Sequence, residues 1–141
     1  MLYSYTIKTT KEEFRPITDL VRDAILKSGV TDGLCLVFCP HTTAAITINE
    51  NADPDVTRDL LVGFSAAFPD RSDFRHMEGN SAAHLKASTI GASELLIVEG
   101  GAPLLGRWQG VYFCEFDGPR TRTFYVKVTR SLEGNEHYVN N

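Results

Sequence analysis

No apolar run in this chain is long enough to cross a bilayer as a helix; the longest, such as 95–98, fall far below the ~20 residues required. The first residues, Met-Leu-Tyr-Ser-Tyr-Thr, lack the basic and apolar regions of a signal peptide, so a cytoplasmic protein with no membrane partner is expected. Positive charge is also short: 14 Lys and Arg face 18 Asp and Glu, a formal net charge of −4. That balance gives no general pull toward nucleic acid, and none is expected as a partner. A local basic cluster of Arg120, Arg122, Lys127 and Arg130 suits one small anion better than a polyanion. Cysteine is scarce and odd in number, three residues with no Cys-x-x-Cys pair. Cys35 and Cys39 fall on one side of an apolar strand, either as buried reduced thiols or, for Cys39, as a metal ligand two residues before His41. Internal repeats, low-complexity linkers and coiled-coil heptads are absent as well.

What is present fits one domain over 1–131 with a polar, fraying tail over 132–141, and the 43% apolar content supplies a core. Alternation predicts a strand over 2–9, and apolar residues at helical spacing predict a helix over 17–26 with Gly29 as its stop. Two strands over 33–39 and 44–49 follow, joined by a turn at 40–43. Asp53-Pro54 is a strong helix start, because the aspartate can cap and the proline suits the first helical position. That helix is expected to reach about residue 68, burying Val56, Leu60, Leu61 and Phe64. A polar loop over 69–74 and a short helix over 82–90, capped by Asn80 or Ser81, come next. Strands are expected over 94–98, 109–116 and 123–129. The order predicts an α+β fold, a largely antiparallel sheet with two main helices.

Four histidines occur, and three sit in polar, turn-rich settings. His41 lies in Cys-Pro-His-Thr-Thr. His76 and His84 lie in His-Met-Glu-Gly-Asn-Ser-Ala-Ala-His-Leu-Lys, which also brings Glu78, Asn80 and Lys86. Three imidazoles with one open position describe a catalytic zinc site. Gly79 between His76 and His84 lets a loop fold one toward the other; the alternative is a polar loop followed by a surface helix. If strands 33–39 and 44–49 pair as a hairpin, His41 and Asn49 stand at opposite ends of the second strand. Their convergence then needs a bend, a neighbouring strand or a second subunit. Helix entry accounts for Asp53 within Asn49-Glu-Asn-Ala-Asp-Pro and accounts least for Glu50.

Two further segments carry chemistry. Glu-Gly-Gly-Ala-Pro-Leu-Leu-Gly-Arg-Trp-Gln over 99–109 is no Walker loop; it is either a backbone cradle for phosphate or a long hairpin connection. Trp108 there either stacks on a flat ring or packs. Glu115 with Asp117-Gly-Pro-Arg-Thr-Arg combines turn chemistry with two arginine forks whose shape matches phosphate oxygens, or which face solvent at a strand end.

Taken together, His41-Thr-Thr-Ala-Ala-Ile-Thr-Ile-Asn-Glu-Asn-Ala-Asp-Pro-Asp-Val, the 76–87 stretch and the 93–111 segment ending in Gly-x-Trp-Gln resemble the YjbQ-like family, described as secondary thiamine-phosphate synthases. One departure is Arg107, where that family usually has threonine or serine. The resemblance implies a compact α+β fold and a homotrimer. It implies metal ligation at His41, His76 and His84, and an activity joining a pyrimidine diphosphate to a thiazole phosphate with release of pyrophosphate. On this reading neutral imidazoles select a divalent metal, zinc above magnesium. Glu78, Asn80 or Glu50 serve as outer partners or general base. Lys86, Arg120 and Arg122 hold phosphate on a small phosphorylated molecule, with Trp108 and Gln109 lining the substrate. Metal-dependent phosphate-ester hydrolysis, or a non-enzymatic trimer binding a metal or small anion, are the alternatives.

Overall fold

The structure, a computed structural model, describes residues 1–132. Two antiparallel sheets share the strands. The larger is built from β1 (Leu2–Lys8), β3 (Asp32–Phe38), β5 (Ser93–Glu99), β6 (Ala102–Pro103) and β8 (Thr121–Arg130), in the order β1-β8-β3-β5-β6. The smaller is β2 (Glu13–Pro16), β7 (Gln109–Glu115) and β4 (Ala44–Glu50), in the order β2-β7-β4. Helices α1 (Thr18–Ser28), α2 (Pro54–Ala67) and α3 (Ser81–Ile90) complete an α+β domain. These are the three expected helices, with the third, at 10 residues, nearly as long as α1 at 11. The expected tail over 132–141 lies, beyond Leu132, outside the described residues.

The inner face of the five-stranded sheet carries Cys35, Val37, Leu96, Val98, Phe124 and Val126, and meets Val21 and Ile25 of α1 and Ile46, Val111 and Phe113 of the small sheet. Period-2 burial along β3 and β5 follows directly from alternation in the sequence. The far face of the small sheet, through Ala45, Tyr112 and Cys114, packs Ala83 and Ala87 of α3. Helix α2 sits more loosely. Leu60, Leu61 and Phe64 are only half-buried and no α2 residue is fully buried, contrary to the burial expected for Val56, Leu60, Leu61 and Phe64. All three cysteines are buried and free, and burial raises the Cys35 and Cys39 thiols above their ordinary range.

The strands on either side of residues 40–43 do not form a hairpin. β3 pairs with β5 and β8, whereas β4 pairs with β7 in the other sheet. Residues 40–43 therefore cross between sheets rather than turn within one. The glycines at 100 and 101 form a tight turn between β5 and β6, so 99–109 is not one long hairpin connection: the chain returns briefly along β5 and then crosses to β7 in the other sheet. Short strands β2 and β6 lay below what alternation could reveal. No helix among the described residues is long and apolar enough to cross a membrane.

Gly33 sits where β8 leaves no room for a side chain: a Cβ there would lie 1.9 Å from the Thr129 carbonyl oxygen. Gly33→Ala is expected to lower stability by about 1–3 kcal/mol, as overpacking does, read by thermal or urea unfolding.

Candidate functional site

A cavity of about 430 Å³ opens where three segments meet: residues 40–43, the 76–84 loop and helix start, and the 117–122 connection. His41, His76 and His84 all line it, together with Glu78, Asn80, Arg120 and Arg122.

Proline explains how His41 gets there. The β3–β8 ladder ends at the pair Phe38 and Tyr125, and its register would next bring Pro40 opposite Thr123. Proline has no N–H to offer. The His41 imidazole fills the gap instead: Nε2 lies 3.0 Å from both the Thr123 carbonyl oxygen and the Thr123 amide nitrogen. It donates to the first or accepts from the second according to tautomer. Nδ1 has no protein partner among the described residues. Burial and then the positive charge of Arg122 push the His41 pKa below its ordinary value. The ring is therefore held neutral at physiological pH, the form that binds metals.

The loop before α3 turns at His76, where the Gly79 N–H donates to the His76 carbonyl at 3.0 Å and Gly79 takes a positive φ of 72°. The turn carries His76 back over the first turn of α3. The rings of His76 and His84 meet edge to face with centroids 5.3 Å apart. Asn80 occupies the N-cap position of α3 yet its side chain makes no capping bond, contrary to expectation. Its Nδ2 donates instead to Asp117 Oδ2 at 2.8 Å, and its buried Oδ1 has no partner among the described residues. Glu78 Oε2 lies 3.5 Å from the same Nδ2.

The third wall rests on carboxylates. Arg120 donates from Nη2 to Asp117 Oδ2 at 2.9 Å and from Nε to the Asp117 carbonyl at 2.7 Å. Below it, Arg122 is 5% exposed and Glu115 is fully buried. Arg122 Nε and Nη2 reach the two Glu115 oxygens at 2.8 and 2.5 Å, and Nη2 also donates to Thr43 Oγ1 at 2.8 Å. The other Glu115 contacts come from the Thr9 hydroxyl and the Asp117 N–H. Of the Arg122 nitrogens, only Nη1 has no partner among the described residues, and the residue lines the cavity. Burial works against the ionised forms of Glu115 and Asp117, but their partners outweigh it and hold both carboxyls below the usual range. The connection itself is tight, since a Cβ on Gly118 would lie 1.9 Å from the Thr10 carbonyl oxygen.

Glu115, Asp117, Thr43 and Thr9 were not singled out as site residues from the sequence. A signal was available: acid and base mirror each other about Gly118-Pro119, with Asp117 opposite Arg120 and Glu115 opposite Arg122. The basic cluster does not converge. Lys127 and Arg130 do not line the cavity.

Within one chain five expected residues, Lys86, Glu50, Trp108, Gln109 and Cys39, lie elsewhere. Lys86 is buried on α3, with Nζ 3.1 Å from Glu12 Oε1 and 3.5 Å from Ser65 Oγ, its positive charge already matched. Glu50 pairs with Gln109 at the opposite end of β4 from His41. Gln109 Oε1 accepts from the Gly106 N–H, and Arg107 covers the exposed Trp108 ring at 4.7 Å from its centroid. Cys39 faces the core, its Sγ 3.9 Å from the His41 carbonyl.

Among the described residues no three His, Cys, Asp or Glu side chains already stand in a metal-coordinating arrangement. The donor set nonetheless suits a borderline-soft divalent cation: three imidazoles in one cavity, one of them held neutral. The Thr123 carbonyl beside His41 Nε2 is the outer partner that a ligating histidine usually has.

The buried pair makes a stability prediction. Glu115→Gln strands the Arg122 guanidinium in the interior, and a loss of about 3–5 kcal/mol is expected in urea unfolding. A carboxyl depressed in the folded state stabilises fully above its unfolded pKa, about 4.3, and that stabilisation is lost as pH falls from there through the folded value. The acid limb of the stability profile should therefore be shallower in the variant than in the parent.

The family model described as UPF0047 protein YjbQ-like matches residues 3–131. The UPF0047 protein YugU of Bacillus subtilis (strain 168) is 57% identical over 130 residues, covering 91% of this chain and 98% of that one. The UPF0047 protein MJ1081 of Methanocaldococcus jannaschii is 53% identical, covering 91% and 94%. A crystal structure of a YjbQ/UPF0047 protein from Clostridium acetobutylicum, 56% identical, superposes with a TM-score of 0.88 over 90% of this chain and 99% of that one. A YbjQ-like protein of Sulfolobus solfataricus, only 31% identical, gives the same TM-score over 93% and 97%. With its fold and nearly its whole described length matched, this chain belongs to the YjbQ-like UPF0047 family.

Proposed function

We propose that the cavity is a metal-dependent site for a small phosphorylated molecule, acting in the cytoplasm as a transferase of the thiamine-phosphate-synthase type. The observation that carries this reading is the meeting of His41, His76 and His84 in one cavity with Arg120 and Arg122. The three imidazoles would hold a divalent ion, zinc by its ligand chemistry, which when bound supplies positive charge against a departing pyrophosphate. Arg122 offers Nη1 to a phosphate oxygen from a guanidinium that Glu115 and Thr43 already fix in place. Arg120 adds a second, more exposed donor set whose reach is limited by Asp117. Asn80 presents an unfilled carbonyl acceptor, suited to an N–H or O–H of the outer shell. A homotrimer, which the family resemblance implies, would let Glu50, Trp108 and Gln109 of one chain approach the cavity of another.

Glu78 favours a second reading. Its carboxylate has no salt-bridge partner among the described residues, so it can take a proton from an attacking water in phosphate-ester hydrolysis.

Elemental analysis of protein purified without chelator or nickel should find about one zinc per chain, as a three-histidine site requires. His76→Ala and His84→Ala should lose that metal and the product formed from pyrimidine diphosphate and thiazole phosphate, while keeping a folded spectrum. Asn80→Ala should weaken metal binding about 10–100-fold, the usual effect of removing an outer partner. Parent protein without stoichiometric metal, or metal-free variants with undiminished turnover, would defeat the proposal. Metal bound with no turnover of either substrate class would leave a binding protein instead.

A further inference from the structure

For a pocket that takes an anion, the cavity is short of positive charge. Its walls carry Glu78 and Asp117 against Arg120 and Arg122, and no lysine lines it. Beneath Arg122 lies the fully buried carboxylate of Glu115. With the imidazoles in the neutral form that binds metals, three negative charges stand against two positive ones, a net of −1. The three carboxylates differ in how well they are matched. Asp117 Oδ2 accepts from Arg120 Nη2 at 2.9 Å and from Asn80 Nδ2 at 2.8 Å. Glu115 accepts from Arg122 through both of its oxygens. Glu78 makes no salt bridge among the described residues, and its one side-chain contact there is the same Asn80 Nδ2, at 3.5 Å. That amide is already committed to Asp117, so the net negative charge of the cavity resides on Glu78.

We propose that Glu78 makes anion uptake conditional on a cation: its unmatched carboxylate holds the metal-free cavity negative, so a phosphate group binds well only together with a divalent ion. This rests on the metal-site reading above and goes beyond it in naming what the site recognises, a cation–phosphate pair rather than a free anion. The reason is Coulombic. A phosphate dianion entering the metal-free cavity meets like charge, whereas a divalent ion turns the net −1 into +1 and the same anion is attracted. Arg122 Nη1 then orients the phosphate more than it attracts it, because its charge is balanced by Glu115. Linkage makes the effect reciprocal, so phosphate tightens the cation by the factor that the cation tightens phosphate. Glu78 is exposed at the cavity rim, so its field acts through water and is screened by salt, unlike a direct contact.

The test is calorimetric titration of inorganic phosphate into the full chain, once freed of metal by a chelator that is then removed, and once reloaded with stoichiometric zinc. A pH of about 8 keeps the solution above the ordinary histidine range. Zinc should tighten phosphate binding about tenfold or more, and phosphate should tighten zinc binding equally. In metal-free protein at low salt, Glu78→Gln should bind phosphate about threefold or more tighter than the parent, and that gain should vanish near ~1 M salt, where screening acts within about 3 Å. Glu99→Gln makes the same charge change at the end of β5 remote from Phe38 and the cavity, and should leave phosphate binding as in the parent. Equal phosphate affinity with and without bound zinc, or no phosphate binding in either state, overturns the inference and leaves the metal site standing. So does a Glu78→Gln variant with the parent affinity, a gain that survives high salt, or an equal gain in Glu99→Gln. A chain that takes up no zinc defeats the metal-site reading itself, and conditional uptake falls with it.

Discussion

The buried Glu115–Arg122 pair is the constraint around which the cavity is organised. Two charges out of water are costly unless every donor and acceptor is matched. Here the matching draws in three remote segments: Thr9 after β1, Thr43 in the crossing between sheets, and the Asp117 N–H in the connection. Each is pulled to one point because the carboxylate and the guanidinium need all of them. The start of β8 is thereby fixed, and with it the Thr123 backbone against which His41 rests.

A consequence is that the cavity's cations arrive already compensated. Glu115 faces Arg122, and Asp117 faces Arg120. The guanidiniums are held in orientation by these partners, so their N–H groups are fixed rather than flexible, as the proposed anion site requires. Compensation also limits how much negative charge the wall accepts without a cation. Asn80 belongs to the same economy of contacts. It gives up the capping bond its position favours, and its amide instead links α3 to the β7–β8 connection.

Much of the fold could be read from the sequence because its long elements carry clear periods. Helix α1 with Gly29 after it, the Asp53-Pro54 start of α2, and β3, β5, β7 and β8 follow from spacing and caps. What spacing could not show was which strands share a sheet. The short crossing at 40–43 reads like a hairpin, yet β3 and β4 lie in different sheets that face each other across one shared core. The histidines were legible as chemistry, but their meeting depends on that crossing and on the turn at His76. Lys86 looked like an anion-binding group beside His84; one face further round α3 it is buried against Glu12. Asp117 looked like turn chemistry alone, and it is also the hinge between Asn80 and Arg120. Long-range pairing of charges leaves almost no local trace.

The proline at position 40 gives residue 41 two duties at once. By ending the main-chain ladder it hands a rung to an imidazole, so the ring carries sheet cohesion as well as any chemistry. A shorter side chain at 41 would leave the Thr123 amide and carbonyl facing each other across a gap. Whatever drifts in the cavity over evolutionary time, this position answers to the scaffold too. Its persistence among relatives would therefore be weaker testimony to catalysis than persistence at His76 or His84, whose rings hold no strand together.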